Sequence, residues 1–297
     1  MNRLDPMELF ERIARDVPQA LHQHLFVTGS LAAAYHYKAQ LQGQAINTKD
    51  ADLVVHPAGH VNSCREMAEQ LRDIGWSNTE ECFPQATAEP VETLRAIRLY
   101  PPGSKEYFIE FLNIPDKDQA AAKRWVPLQL KDGWYGLPSF RFLGVVSMGR
   151  IASHVGLEYA QPSMMALTNL MSHPQVGTIR IGSGDMRGVL RSAKDLGRVI
   201  ALARLEGREG TEAWREHWLR AIQECFPTSW KALLINVGSG LEELLDDDNA
   251  MEDARKTTDI GLLNGLGVSA EMLRATGDRL IQDVIIPLRR ESQVSVS

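Results

Sequence analysis

Two aspartates separated by a single residue are the side chains in this sequence best suited to chemistry. Asp50 and Asp52 begin an apolar run that continues through residues 53–55. In an extended strand alternate side chains share a face, so both carboxylates would point the same way. Two such carboxylates can hold Mg²⁺ against the phosphates of a nucleoside triphosphate. This spacing predicts nucleotidyl transfer.

A glycine and a serine twenty residues earlier could hold the phosphates. Gly29 and Ser30 follow the short apolar run 25–27 and precede the helix-forming run 31–37. A backbone amide and a hydroxyl at this turn would bind triphosphate oxygens, and glycine allows the close backbone approach that a phosphate needs. The alternative is that Ser30 only caps the following helix. Because the aspartate strand follows at a compatible distance, the phosphate-binding interpretation is favoured.

These two motifs give the chain a family resemblance. Residues 28–32 (Thr-Gly-Ser-Leu-Ala) and 48–52 (Thr-Lys-Asp-Ala-Asp) resemble the DNA polymerase beta type nucleotidyltransferase superfamily. That superfamily carries Gly-Ser or Gly-Gly on a strand-to-helix turn and Asp-x-Asp on the next strand. The long gap between the motifs looks most like the AbiEii-type branch, which are toxins of bacterial abortive-infection systems. The resemblance covers roughly residues 20–205.

The resemblance implies a third carboxylate, for which Glu110 is the best candidate. It lies in the alternating run 107–112, which reads as a strand. A second alternating run, 91–100, ends at the Pro-Pro-Gly break 101–103, so the two runs predict a hairpin that carries Glu110. In the superfamily this carboxylate helps to hold a second metal ion or deprotonates the attacking hydroxyl.

The AbiEii resemblance also implies a basic residue followed by aspartate on a later helix. Lys194 and Asp195 match that pair, and Lys194 would stabilise the pyrophosphate leaving group. Two positions depart from the family pattern: Arg198 stands where the family has a second aspartate, and Asn169 stands where it has a lysine. These departures favour the alternative of a nucleotidyltransferase fold without catalysis.

The activity that the resemblance implies is Mg²⁺-dependent transfer of a nucleotide from a nucleoside triphosphate to an acceptor hydroxyl. By resemblance to the toxin branch, the acceptor would be RNA, such as tRNA, or a protein, and an antitoxin would be a partner. A small hydroxylated molecule is equally open, because the donor-side residues do not identify the acceptor. The alternative function is a nucleotidyltransferase fold that has lost catalysis and serves as a binding or regulatory module.

Length and periodicity predict an α+β protein with two domains. The 297 residues, 44% of them hydrophobic, can form one large core or two ordinary ones, and a division near the middle is expected. The resemblance implies a nucleotidyltransferase-like mixed sheet flanked by helices in residues 1–150, and helical periodicity predicts a C-terminal helical domain in residues 151–297. The chain has no run of eighteen apolar residues and its first residues lack a signal-peptide pattern, so we expect a cytoplasmic protein without a membrane partner.

The charge distribution bears on nucleic-acid binding. A net charge of −6 argues against a large phosphate-binding surface. A local stripe is still present, because Arg187, Arg191, Lys194 and Arg198 recur at helical spacing. That stripe could bind phosphate. The favoured interpretation is a solvated helix face whose charge nearby aspartates balance.

Overall fold

The computed structural model describes residues 4–42, 48, 50–57, 59–78, 94–115, 123–181 and 188–293. The chain divides into two compact units, Met1–Gln161 and Pro162–Ser297. The sequence placed the division between residues 150 and 151. Each unit is described by itself below.

The first unit combines helices with short strands. Its helices are α1 (Pro6–Asp16), α2 (Gly29–His36) and α3 (Val61–Asp73), with 3-10 turns at Gln19–His24 and Leu143–Ser147. Its strands are β1 (Leu25–Thr28), β2 (Asp50–Val55), β3 (Ser77–Asn78), β4 (Arg95–Ala96), β5 (Arg98–Tyr100), β6 (Phe108–Asn113), β7 (Lys123–Leu130), β8 (Gly133–Phe140), β9 (Ile151–Ala152) and β10 (Glu158–Tyr159).

The larger sheet of this unit is mixed. Its strand order is β3-β5-β6-β2-β1-β10-β9. Strands β2 and β6 run parallel, as do β1 and β10, whereas β1–β2, β5–β6, β3–β5 and β9–β10 are antiparallel. The antiparallel pairing of β5 with β6 is the hairpin predicted to carry Glu110. The mixed sheet with flanking helices confirms the predicted α+β class.

Burial of the central strands explains why polar residues in them stand out. All four residues of β1 are buried, and β2 is buried from Leu53 to Val55. Alanine-rich α2, which follows β1 directly, is also buried from Leu31 to Tyr35. Burial of apolar side chains contributes most of the stability of such a core. Asp50 and Asp52, at the start of β2, do not contribute apolar surface to it.

A second, three-stranded sheet was not predicted from the sequence. Strands β7 and β8 form an antiparallel hairpin, and β4 pairs with β8 in parallel. Asp132 at the hairpin turn forms an ion pair with Arg72 of α3 and accepts a hydrogen bond from Tyr135, 2.9 Å away. The Arg72 guanidinium, with help from the Tyr135 hydroxyl, lowers the pKa of Asp132 to about 2. These contacts tie the hairpin turn to α3.

The second unit is built mainly from helices, which confirms the predicted helical C-terminal part. They are α4 (Pro162–Val176), α5 (Arg191–Glu212), α6 (Trp214–Cys225), α7 (Trp230–Asn236), α8 (Ser239–Asp246), α9 (Asp248–Ile260), α10 (Ala270–Leu280) and α11 (Ile286–Arg290), with a π turn at Ile281–Ile285. A short hairpin of β11 (Arg180–Ile181) and β12 (Val189–Leu190) precedes α5.

Helical periodicity predicts one helix over residues 229–245, but the structure has two helices, α7 and α8, in this range. Gly238 has φ +80°, and a Cβ at this position would lie 2.7 Å from Ile285 Cδ1. The left-handed backbone and the close side chain both require glycine, so the helix ends before it.

None of the helices in the described part of the chain is long and apolar enough to cross a bilayer.

Three histidines of the first unit meet where β1 begins and β2 ends. The rings of His24 and His60 stack with centroids 5.0 Å apart, and the His56 amide donates to the His24 carbonyl at 2.9 Å. Burial, followed by the Arg150 guanidinium, lowers the pKa of His56; the two other histidines act in the same direction and Glu158 opposes them. The folded state therefore disfavours a proton on His56.

We expect acid to destabilise the protein in part through His56. Because the pKa of His56 is lower in the folded state than its ordinary value of 6.5, the unfolded chain takes up the proton first as the pH falls. This contribution to stability is present above about pH 6.5 and is lost as the pH falls through the folded-state value. Urea denaturation at a series of pH values should give a smaller acid-induced loss for His56→Gln than for the wild type. Equal losses in the two proteins would contradict the prediction.

Candidate active site

Four polar side chains form one row across the larger sheet. In β1 and β2 Thr28 lies opposite Asp52, and in the parallel pair β2–β6 Asp52 lies opposite Glu110. In β5 and β6 Glu110 lies opposite Arg98. Residues directly opposite each other project from the same face of a sheet. The row therefore places two acidic side chains between a hydroxyl and a guanidinium.

The turn after β1 brings backbone against one carboxylate of the row. Gly29 has φ +74°, and a Cβ at this position would lie 2.6 Å from Asp52 Oδ2. No side chain fits that distance, and the left-handed backbone also favours glycine. The turn and Asp52, which the sequence predicted as partners, lie in contact.

The alternative in which Ser30 caps the following helix is wrong. Helix α2 begins at Gly29, with Thr28 as its N-cap residue and no capping hydrogen bond from the Thr28 side chain. Ser30 thus lies inside the first turn of α2 and is half-buried. Its predicted role in phosphate binding stays a prediction.

Asp50 lies two residues before Asp52 on the same face of β2. Its side chain is exposed, and the Thr48 hydroxyl donates to Asp50 Oδ1 at 2.8 Å. Thr48 is itself buried, with 7% of its surface exposed. The buried Thr48 hydroxyl therefore orients the exposed Asp50 carboxylate. Asp52 itself is half-buried.

Glu110 is buried and paired with Arg98. The Arg98 Nε–H donates to Glu110 Oε1 at 3.1 Å. Burial raises the pKa of Glu110, and the nearby Asp50 adds to that effect, whereas Arg98 and Lys123 oppose it. The pKa of Glu110 is raised overall, because the removal of its carboxylate from water outweighs the attraction of the two cations.

These oxygen donors fit Mg²⁺ in part. Mg²⁺ prefers oxygen ligands and is commonly bound by one or two carboxylates together with substrate phosphates. Asp50 and Asp52 are two such carboxylates on one face of β2. Within the described ranges, no three or more His, Cys, Asp or Glu side chains are grouped so as to hold a metal ion. The arrangement suits a site of two carboxylates completed by phosphate.

The predicted residues of the second half lie on α5 in the second unit. Asp195 is buried and accepts a hydrogen bond from Arg191 Nε at 3.0 Å, whereas Lys194 is exposed. Arg198 on α5 and Asn169 on α4 are half-buried. Of the basic stripe, Arg187 lies outside the described residues. The pairing of Arg191 with Asp195 agrees with a charge-balanced helix face, and the roles of Lys194 and Asp195 in catalysis stay predictions.

Two residues of the site were missed by sequence reasoning. Arg98 is the cross-strand partner of Glu110, and Thr48 orients Asp50. Arg95 and Arg98 both lie in the alternating run 91–100. The signal available was the hairpin itself, because its register decides which arginine faces Glu110.

Comparison with known proteins adds one distant similarity. No protein-family model matches the chain, and no curated protein matches its sequence. Among solved structures the chain aligns with a STING-associated CdnE c-di-GMP synthase from Capnocytophaga granulosa, over 96% of this chain and 79% of that chain. The identity is 10% and the TM-score 0.22. A TM-score this low supports no argument about the fold or the chemistry of the present protein.

Proposed function

We propose that this protein is a Mg²⁺-dependent nucleotidyltransferase, which transfers a nucleoside monophosphate from a nucleoside triphosphate to an acceptor hydroxyl. The observation that carries the proposal is the contact between the Gly29 backbone and the Asp52 carboxylate at the start of the polar row. A strand-to-helix turn against a metal-binding carboxylate is the arrangement that a triphosphate with its cation requires.

The donor side of the site would use four residues. Asp50 and Asp52 would hold Mg²⁺, and Gly29 and Ser30 would bind the outer phosphate oxygens through the backbone amide and the hydroxyl. When bound, Mg²⁺ neutralises negative charge that develops on the phosphates. The Thr48 hydroxyl keeps Asp50 oriented, so less conformational freedom is lost on binding.

The reaction transfers one phosphoryl group with its nucleoside. The acceptor oxygen forms a bond to the α-phosphorus, the bond from that phosphorus to the oxygen bridging the β-phosphate breaks, and pyrophosphate leaves with the electron pair. The acceptor hydroxyl loses its proton, and Glu110 is the proposed proton acceptor. A buried carboxylate with a raised pKa suits that role better than a fully solvated one.

The acceptor and partner that we propose follow from the resemblance to the AbiEii-type toxins. An RNA 3′ end, such as that of tRNA, or a protein hydroxyl would receive the nucleotide, and an antitoxin would restrain the activity. The acidic net charge of −6 means that an RNA would have to be recognised through a local surface rather than the overall charge.

A second candidate function is a nucleotide-binding or regulatory module without catalysis. The ion pair between Arg98 and Glu110 favours it, because a carboxylate held by arginine has an ordinary structural role. The departures at Arg198 and Asn169 point in the same direction. A module of this kind would bind a triphosphate without consuming it.

Labelled nucleotides separate the two candidates. Purified protein would be incubated with each of the four nucleoside triphosphates labelled at the α-phosphate, with Mg²⁺ and with total bacterial RNA and protein. We expect label on one acceptor class from the wild type and none from an Asp50→Ala/Asp52→Ala control. Mg²⁺-dependent binding of triphosphate without transfer would support the module. If the protein neither binds nor transfers the nucleotide, both functions are rejected.

A further inference from the structure

The pair formed by Arg98 and Glu110 is closely built into the sheet. Only 26% of the Arg98 side chain and 11% of the Glu110 side chain are exposed. The two residues are direct cross-strand partners, and the Arg98 guanidinium also lies over the Phe108 ring, 5.2 Å from its centroid. Register, ion pairing and the aromatic contact hold the guanidinium in one place.

We propose that Arg98 keeps Glu110 away from the metal ion, so that in the nucleotide-free protein a divalent cation is held by Asp50 and Asp52 alone. The inference rests on the proposed function, since it concerns the same site. It makes Arg98 a positioning residue and removes Glu110 from the metal ligands that the family resemblance implies.

Electrostatics favour cation binding by Asp50 and Asp52 rather than by Glu110. A guanidinium bound to Glu110 repels a second cation at the same carboxylate, and the repulsion is strong because the pair is largely buried. Asp50 and Asp52 are differently supported: Asp50 accepts from the Thr48 hydroxyl, and Asp52 lies against the Gly29 backbone. The carboxylates of β2 can therefore bind a cation without breaking the pair that holds Glu110.

Coordination chemistry does not require the third carboxylate. Mg²⁺ keeps several waters and is often bound by one or two carboxylates until substrate phosphates complete its shell. No group of three carboxylates is in place among the described residues. Glu110 is then left for the role of proton acceptor that the proposed function gives it.

A Mn²⁺ titration of the nucleotide-free protein tests the proposal, with the free aquo ion followed by electron paramagnetic resonance. The proteins would be the wild type, Asp52→Asn, Glu110→Gln, Arg98→Met and the double variant Arg98→Met/Glu110→Gln. We expect Asp52→Asn to lose binding and Glu110→Gln to bind within about twofold of the wild type. Arg98→Met should bind roughly tenfold more tightly, because an added carboxylate ligand raises affinity. The double variant should return to the wild-type value.

The outcomes separate the two proposals. If Glu110→Gln weakens Mn²⁺ binding as much as Asp52→Asn does, Glu110 is a ligand and the inference about Arg98 is wrong, while the metal site stands. An unchanged affinity in a folded Arg98→Met also overturns it. If the wild type binds no Mn²⁺, the inference fails, whereas the proposed function is decided by the labelled-nucleotide experiment, because its metal site is completed by phosphate. Should Arg98→Met not fold, the comparison of Glu110→Gln with the wild type still decides.

Discussion

Asp52→Asn is expected to reduce nucleotide transfer by about a thousandfold. The substitution keeps the shape of the side chain but removes the carboxylate charge in contact with the Gly29 turn. Charge stabilisation by a bound cation is worth several kcal/mol in a transition state, and about 1.4 kcal/mol corresponds to a factor of ten in rate. The rate of label transfer under single-turnover conditions measures the effect, and the melting temperature should not fall.

Asp73→Asn is a matched control for this substitution. It makes the same change of side chain and of net charge, at an exposed aspartate of α3 that pairs with Lys131 at 3.3 Å. Because exposed ion pairs contribute little, its transfer rate and stability should remain close to those of the wild type. A transfer rate of Asp52→Asn that equals the rate of Asp73→Asn would remove the metal site from the proposed function.

The part of the site that sequence reasoning predicted depends on local patterns. Alternation over six residues is enough to place Asp50 and Asp52 on one face of a strand, and a glycine between an apolar run and an alanine-rich run is enough to locate a turn. The contact between Gly29 and Asp52 depends in addition on the antiparallel pairing of β1 with β2, in which Thr28 lies opposite Asp52. Local patterns therefore predict the turn and the shared face of the two aspartates, whereas strand pairing brings them together.

Partners set by distant pairing could not be read in the same way. The register of β2 against β6 joins residues more than fifty positions apart, so no sequence pattern fixes which residue lies opposite Asp52. The pairing of Arg98 with Glu110 depends on the hairpin register for the same reason. The break before Gly238 depends on Ile285, which comes from a different helix. Tertiary contacts decided each of these features.

The polar row has a structural cost that helps to interpret it. A carboxylate taken out of water destabilises the fold unless a hydrogen bond or a cation compensates. Compensation is visible for Glu110, whose buried carboxylate accepts a hydrogen bond from Arg98. A row that served stability alone would be replaced without loss by apolar side chains, so activity measurements rather than melting temperatures bear on its purpose.

Gly29→Ala is expected to impair both stability and activity. At φ +74° a side chain costs about 1–2 kcal/mol. In addition, the new Cβ would lie 2.6 Å from Asp52 Oδ2, so the carboxylate must move away from the turn. A displacement of about 1 Å in a catalytic site can lower the rate roughly a hundredfold. Melting temperature and single-turnover transfer rate, measured on the same preparation, give the two effects.

Gly103→Ala separates the backbone cost from the contact. Gly103 has φ +76°, nearly the value at Gly29, but a Cβ there would meet nothing within 4 Å. Both variants should therefore lose about 1–2 kcal/mol to the left-handed backbone, whereas only Gly29→Ala should lose transfer activity. If the two variants lose stability equally and neither loses activity, transfer tolerates a displacement of Asp52. Asp52 then cannot hold the metal from the position that it occupies in this structure. If Gly29→Ala alone loses activity, the closeness of the turn to Asp52 is required for transfer and not merely permitted by the fold.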